Sequence, residues 1–434
     1  MFRKNIFKKV FIVWLVFFLV SISITPAFGK NNLSKFKERN SFICQEYLLP
    51  PPKNLTMSFE KSIMRRSSVR NFSQEPVTDE ELGTILWAAF GLRDDGKMTV
   101  PEINGTHATV IYVLKEDVYK YNPKNHSLVL YKEGDYRYIG QYEAPIQLGL
   151  CRNTDIADIN LSNIELGAVG QNIYFAANVI NLGTVITAEI PPAINPVGLP
   201  ENEHGMGIMP LGHLNNSYNF KYRPFLFSFL PRIKLSKTSL TKALNERNEV
   251  TSWESNFISR RDFSHLVWSS YGYSYYLDRS SNRVKRHHTV PSAHGYYPFR
   301  IYAANKLGIY RFNYGLVDVD LFGLPVVSYL LPISLGDKRT DIAQATESFI
   351  SNAPLSIIMV LDIAKTNQWD NLSAPDLRWI WYYEAGAAGH NVLLQATARN
   401  LNGNILKIDN KEDICSILKL DPDKFDPMVI IPVG

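Results

Sequence analysis

The sequence predicts an α+β protein, helices layered on sheets, built from two diverged copies of one domain. Two observations carry that prediction: four landmarks recur in the same order in both halves, and each half mixes helical with strand periodicity. Leu86-Trp-Ala-Ala-Phe-Gly91 returns as Val267-Trp-Ser-Ser-Tyr-Gly272, and Thr99-Val-Pro101 with Gly105, Ile111 and Tyr112 returns as Thr289-Val-Pro291 with Gly295, Ile301 and Tyr302. Glu165-Leu-Gly-Ala-Val-Gly-Gln-Asn172 returns as Glu384-Ala-Gly-Ala-Ala-Gly-His-Asn391, and Ile208-Met-Pro-Leu-Gly212 as Ile430-Ile-Pro-Val-Gly434. From one pair to the next the offset between partners widens and never narrows. Chance matches would scatter; a duplication followed by insertions in the second copy keeps this order.

Residues 1–29 open with Arg3, Lys4, Lys8 and Lys9 before an apolar run from Val10 to Val20, and Ala27 and Gly29 supply small residues for cleavage after Gly29. This reads as a secretory signal, since Val10 to Ile24 is shorter than the roughly 20 residues needed to span a bilayer. The alternative is an uncleaved anchor. In both cases the body is expected outside the cytoplasm, periplasmic or extracellular, with membrane contact only if the segment is retained. Residues 30–57 form an N-terminal extension.

The first copy, residues 58–213, begins its folded pattern at Thr78-Asp-Glu-Glu81, a capping box, after which Leu82, Ile85, Leu86 and Ala89 keep helical spacing. Val110 to Leu114 reads as a strand. Glu165 to Asn181 reads as a longer helix whose Leu166, Val169, Ile173, Ala177 and Ile180 share a face. It carries Gly167, Ala168 and Gly170, and its partner carries Gly386 to Gly389. Glycine weakens a helix, so its clustering there points to close backbone approach between packed elements, with a loosely formed helix start as the alternative. Residues 214–255 read as a connector, and Phe225 to Leu230 is too apolar to be solvated, so it is expected to pack on one copy or both. The second copy, residues 256–434, holds an extra segment around Val317 to Gly336 and buried-strand candidates at Ser356 to Leu361 and Met428 to Val433.

A chain of 434 residues, 45% hydrophobic and 20% charged, is long enough for two ordinary cores. Its formal charge of +5 is small and dispersed, which argues against nucleic acid as a partner. Cys44, Cys151 and Cys415 are too few for a disulfide framework, and at most one bridge could form. His287-His288 follows Arg283, Lys285 and Arg286 and reads as a solvated basic loop rather than a metal site. Gly167 to Gly170 lies inside a helix and does not match a dinucleotide fingerprint, and Walker, HExxH and GxSxG motifs are absent from the sequence. A nicotinamide cofactor would therefore serve as a passing reductant.

Just before the first capped helix stands Met64-Arg-Arg-Ser-Ser-Val-Arg-Asn-Phe72. Two arginines and a hydroxyl in one turn suit a phosphate, because guanidinium forks match its oxygens; the bland reading is a solvated basic turn. Together with Pro76-Val-Thr-Asp-Glu-Glu-Leu82, the Trp87 and Thr289 landmarks, Tyr297-Pro298, the Glu384 helix and the terminal Ile431-Pro-Val-Gly434, this turn resembles the nitroreductase-like flavoprotein family, especially its SagB-type dehydrogenase branch. The resemblance covers both copies.

In that family FMN sits between two protomers. The resemblance implies that Arg66, Ser68 and Arg70 hold its phosphate and ribityl end, while Pro291, Ser292, Ala293, His294 and Gly295 face the flavin from the other copy. The first copy has Pro101-Glu-Ile-Asn-Gly105 in place of that flavin-facing segment, and Ile258 to Phe263 runs straight into the second copy's helix without an RxSxR motif. The expectation is tandem nitroreductase-like domains forming an intrachain pseudo-dimer, monomeric as a whole, with one composite FMN site and a decayed second one.

The resemblance also places Ala188 and Glu189 where the family offers a backbone N–H to flavin N5, and His213 where the branch has a phosphate-binding arginine, a role that Lys221 or Arg223 could share. His294 is the candidate proton donor. The implied activity is FMN-dependent two-electron transfer between a small-molecule donor and a small-molecule acceptor. Alternatives are an azoline-type dehydrogenase acting on a modified peptide, or an exported noncatalytic binding or scaffold protein that has lost the flavin.

Overall fold

The computed structural model describes residues 46–434, apart from 103–104, 157, 190–191, 224–228, 256, 280–285, 315–327, 368–373 and 375–376. The signal and most of the extension read from the sequence lie outside the described residues. The first copy runs β1 (Glu46–Leu48), α1 (Phe59–Met64), α2 (Asp79–Phe90), β2 (Thr109–Leu114), β3 (Val118–Asn122) and β4 (Ser127–Lys132). It continues with β5 (Ile146–Asn153), α3 (Ile159–Val179), β6 (Leu182–Thr184) and β7 (Glu203–His213). The expected capping box opens α2: Thr78 accepts from the Glu81 amide, and the Thr78 amide donates to Glu81 at 2.9 Å.

After β8 (Phe220–Tyr222) come α4 (Leu240–Glu246), α5 (Arg260–Tyr271), β9 (Tyr276–Asp278), β10 (Phe299–Asn305), β11 (Gly308–Asn313) and β12 (Tyr329–Leu335). The chain closes with α6 (Arg339–Gln344), β13 (Leu355–Asp362), α7 (Arg378–Ala398), β14 (Leu406–Lys407), α8 (Lys411–Leu418) and β15 (Phe425–Val433). The first sheet has the order β1-β4-β3-β2-β5-β7-β6 and the second β12-β11-β10-β13-β15-β14, so six strands correspond one to one and β1 is added at the first sheet's edge. Neighbouring strands of both sheets pair antiparallel. The described end of the extra segment, β12, fills the position of β4.

Two 21-residue helices, α3 and α7, form the seam between the copies. A Cβ at Gly167 would lie 2.7 Å from the Ala387 backbone nitrogen and closer still to the Tyr383 carbonyl oxygen. Reciprocally, a Cβ at Gly386 would lie 2.7 Å from the Ile164 carbonyl carbon. The glycines sit within the helices and let one backbone touch the other. Side chains repeat the reciprocity: Gln171 Nε2 donates to Asn391 Oδ1 at 2.9 Å, while His390 Nε2 and Asn172 Oδ1 lie 2.8 Å apart.

A second reciprocal contact pairs Ser58 with Ser239 as an antiparallel bridge, flanked by Phe59 N to Thr238 O at 3.0 Å and Leu240 N to Met57 O at 2.9 Å. Helices α1 and α4 leave this bridge as counterparts, so the opening helix of the second copy lies within the stretch read as connector. Of the apolar Phe225 to Leu230 stretch, residues 225–228 lie outside the described residues, Phe229 is exposed and Leu230 is buried in the second copy's core, while Ile233, Leu240 and Leu244 are buried in the first's. Among the described residues no helix is long and apolar enough to cross a membrane, and Cys151 and Cys415 are buried free thiols.

Candidate functional site

The turn after α1 is drawn into the seam. Arg66 is 1% exposed. Its Nε donates to the His288 carbonyl of the second copy at 3.2 Å, its Nη1 reaches Ser68 Oγ at 3.5 Å, and its guanidinium lies 5.2 Å from the Tyr174 ring centre. These partners are neutral, and among the described residues no carboxylate pairs with it. A buried charge without a counter-ion is costly, so a fold that keeps one is suited to receive an anion.

The rest of the turn is tied to the first copy. Ser68 Oγ and the Tyr174 hydroxyl lie 3.3 Å apart, Ile186 donates its amide to that hydroxyl at 2.9 Å, and Val69 donates to the Thr184 carbonyl at 2.9 Å. Arg70 is exposed and donates from Nη1 to the Ser68 carbonyl at 3.3 Å.

From the second copy, Thr289 is strapped to both long helices: Gln171 Nε2 and Asn391 Nδ2 donate to its carbonyl at 2.8 and 3.1 Å. The chain then turns. Pro291 is buried, Ser292 and Ala293 are half-buried, and His294 and Gly295 are exposed at the tip. Ser292 Oγ closes the turn by accepting from the Tyr297 amide at 2.9 Å. His294 at φ 51° and Gly295 at φ 72° are both left-handed; a Cβ at Gly295 would meet nothing within 4 Å, so backbone conformation rather than crowding favours glycine there. The His294 ring rests against Tyr296 with centres 5.6 Å apart.

Behind this turn lies an aromatic wall. His288 is stacked between Tyr297 and Tyr273, with ring centres 3.6 and 4.0 Å away, and burial pushes its imidazole down to about 3. His287 faces Asp278 at 2.6 Å. The solvated basic loop expected at these histidines is thus corrected to a packed and paired one, because the β8 to β9 ribbon and distant tyrosines close over it.

Glu384 on α7 accepts a hydrogen bond from the Tyr271 hydroxyl, and burial pushes its carboxyl up to about 8 against the opposing effects of Tyr271, Ser292 and the Ala293 amide. Between the ordinary value of 4.5 and about 8, the folded chain retains a proton that the unfolded chain has released, so stability falls as pH rises through that window. Glu384→Gln is expected to flatten this fall, gaining on the order of 4 kcal/mol over the native chain near pH 8 and little near pH 4.5. Thermal unfolding across that range measures it; parallel profiles for the two proteins would sink the idea.

No described hydrogen bond or ion pair joins the other predicted site residues to Arg66. Ala188 and Glu189 are exposed beyond the Thr187 to Ile208 bridge. His213 turns its Nε2 to Glu81, 3.5 Å away at the start of α2, so its described partner is a carboxylate. Lys221 is exposed on β8, which pairs with β9.

The sequence alone assigns no site role to Tyr174, His288 or Glu384, and it does not reveal the counterpart of Arg66. That counterpart is Arg247, which stands to Arg66 at the same offset as Trp268 to Trp87. Arg247 is 1% exposed and donates to the Met98 and Val100 carbonyls at 3.3 and 2.8 Å. Of Arg66, Ser68 and Arg70, the second copy therefore retains the first, as Arg247, and carries Glu249 and Thr251 in place of the other two.

A profile described as the nitroreductase family matches residues 63–213 and 252–434, most of the chain. A protein of Methanocaldococcus jannaschii with a nitroreductase designation is 30% identical over 181 residues, covering 36% of this chain and 91% of that relative. A crystal structure from Anabaena variabilis, of a protein with the same designation, aligns over 87% of this chain and 99% of its own at 13% identity with a TM-score of 0.61. At that identity it shows a shared fold, and the match extends over both copies.

Proposed function

The chain belongs to the nitroreductase family, whose members are typically flavin oxidoreductases, and on that premise we propose that it binds one FMN at the seam between its two copies. The observation that carries the reading is the buried Arg66 guanidinium, held beside Ser68 and against the second copy without an acidic partner among the described residues. Arg66, Ser68 and Arg70 would hold the phosphate end by charge-assisted hydrogen bonds. The Ser292 to Gly295 turn would meet the ring system, and the wall of Tyr273, His288 and Tyr297 would keep water from its inner side. Bound there, FMN supplies two-electron hydride chemistry between a small-molecule donor and a small-molecule acceptor.

His294, at the tip of the turn, is the residue best exposed to exchange a proton with an incoming acceptor. His288 is unsuited to that task, since its imidazole is held neutral and stacked. We place the protein outside the cytoplasm on the strength of its basic and then apolar opening, Arg3 to Val20.

Anaerobic reconstitution of the full chain followed by flavin quantitation tests the composite site. One FMN per chain is expected. Two per chain would overturn the single site, and none under any condition would favour the noncatalytic reading.

A further inference from the structure

The seam has two pseudo-equivalent faces that differ in charge: Glu249 and Thr251 stand in the second copy where Ser68 and Arg70 stand in the first. Arg66 and Arg247 are each 1% exposed and occupy corresponding positions of the two copies. Each donates across the seam to the carbonyl just before a Thr-Val-Pro landmark, Arg66 to His288 and Arg247 to Met98. Position 68 is serine in the first copy, and at the offset that relates the two arginines its counterpart is Glu249. Glu249 forms an ion pair with Arg247 and accepts the Glu102 amide at 3.4 Å. Beside the pair lies a cavity of about 330 Å³, walled by Phe90, Leu92, Met98 and Val100 and flanked by Lys97 and Lys124. The first face thus offers a buried cation to an external anion, whereas the second supplies its own anion through the chain.

We propose that Glu249 is a built-in counter-anion that closes the second seam face to phosphate-bearing ligands, and that the face is otherwise competent to take an inorganic phosphate or the phosphate of a nucleotide. A fixed carboxylate held against the guanidinium excludes a diffusible anion twice over: it neutralises the charge and occupies the donors. Arg247 Nε makes no hydrogen bond in the described structure, so the fork has capacity in reserve. The asymmetry rests on Arg66 being the flavin-phosphate arginine of the proposed function, but the behaviour of Arg247 can be read separately.

The test uses the full chain and inorganic phosphate, counted by equilibrium dialysis, with thermal unfolding followed at constant ionic strength. Glu249→Ser is expected to lower the unfolding midpoint without phosphate, to recover it as phosphate is added, and to bind one more phosphate per chain than the native protein. Adding Arg247→Met should abolish the gain. Glu249→Gln serves as the second variant should the serine variant not fold, since it keeps the side chain's length and removes only the charge. An unchanged phosphate count in a folded Glu249 variant, or a gain that survives Arg247→Met, overturns the proposal. Failure of the native chain to bind flavin would count against the Arg66 site alone, because the gain at Arg247 is measured without flavin.

Discussion

Gly167→Ala is expected to destabilise the whole chain by about 3 to 5 kcal/mol, although alanine in place of glycine ordinarily strengthens a helix by roughly 1 kcal/mol. The sign reverses because the added Cβ meets backbone. The Tyr383 carbonyl and the Ala387 nitrogen belong to the facing helix and cannot swing aside, so α3 and α7 must separate along their length. Gly386→Ala should do the same from the other side, against the Ile164 carbonyl. Gly389→Ala is the control: its Cβ meets the Ile405 side chain, which can change rotamer, and about 1 kcal/mol is expected there. Chemical denaturation of the three variants reads the series. Equal effects at positions 167 and 389 would show that the seam is not set by backbone contact.

Arg66→Met is expected to weaken FMN binding by about a hundredfold or more, and at the same time to stabilise the flavin-free chain by about 1 to 3 kcal/mol. The two effects have one origin. Without ligand, the guanidinium is a buried charge answered, among the described residues, by the His288 carbonyl, the Ser68 hydroxyl and the face of Tyr174. An apolar side chain of similar length removes that burden and removes the phosphate contact with it. Arg70→Met, at an exposed position, should cost about tenfold in affinity and leave the unfolding midpoint unchanged. Fluorimetric flavin titration paired with thermal unfolding separates these outcomes. A variant at position 66 that loses both flavin and stability would mean that Arg66 is structural.

Much of the architecture was legible because it is written locally or repeated. Thr78 and Glu81 form a box within one turn of chain, and Gly167 and Gly386 declare a close approach by their cost to the helix. What escaped depends on partners far away in sequence. His288 follows a run of basic residues, yet Tyr273 and Tyr297 stack on it and Tyr271 and Tyr314 pack around it. The resemblance sets His213 where a phosphate-binding arginine is expected, whereas the structure turns its imidazole to Glu81. Arg247 was missed for another reason: a search for two arginines flanking a serine passes over it, because its companions are Glu249 and Thr251. Carrying Arg66 forward by the offset that takes Trp87 to Trp268 lands on it directly.

Between the last strand of one copy and the opening helix of the next, Leu230 is buried in the second core and Ile233 in the first. In a dimer of separate subunits, dilution would part the two halves of each site, and every inherited change would strike both faces at once. Here the tether sets the effective concentration of one half around the other. Assembly becomes a property of the single molecule, indifferent to how much protein is present. Each face is then free to drift alone, which is how one could acquire a carboxylate at position 249 while the other kept a serine at position 68.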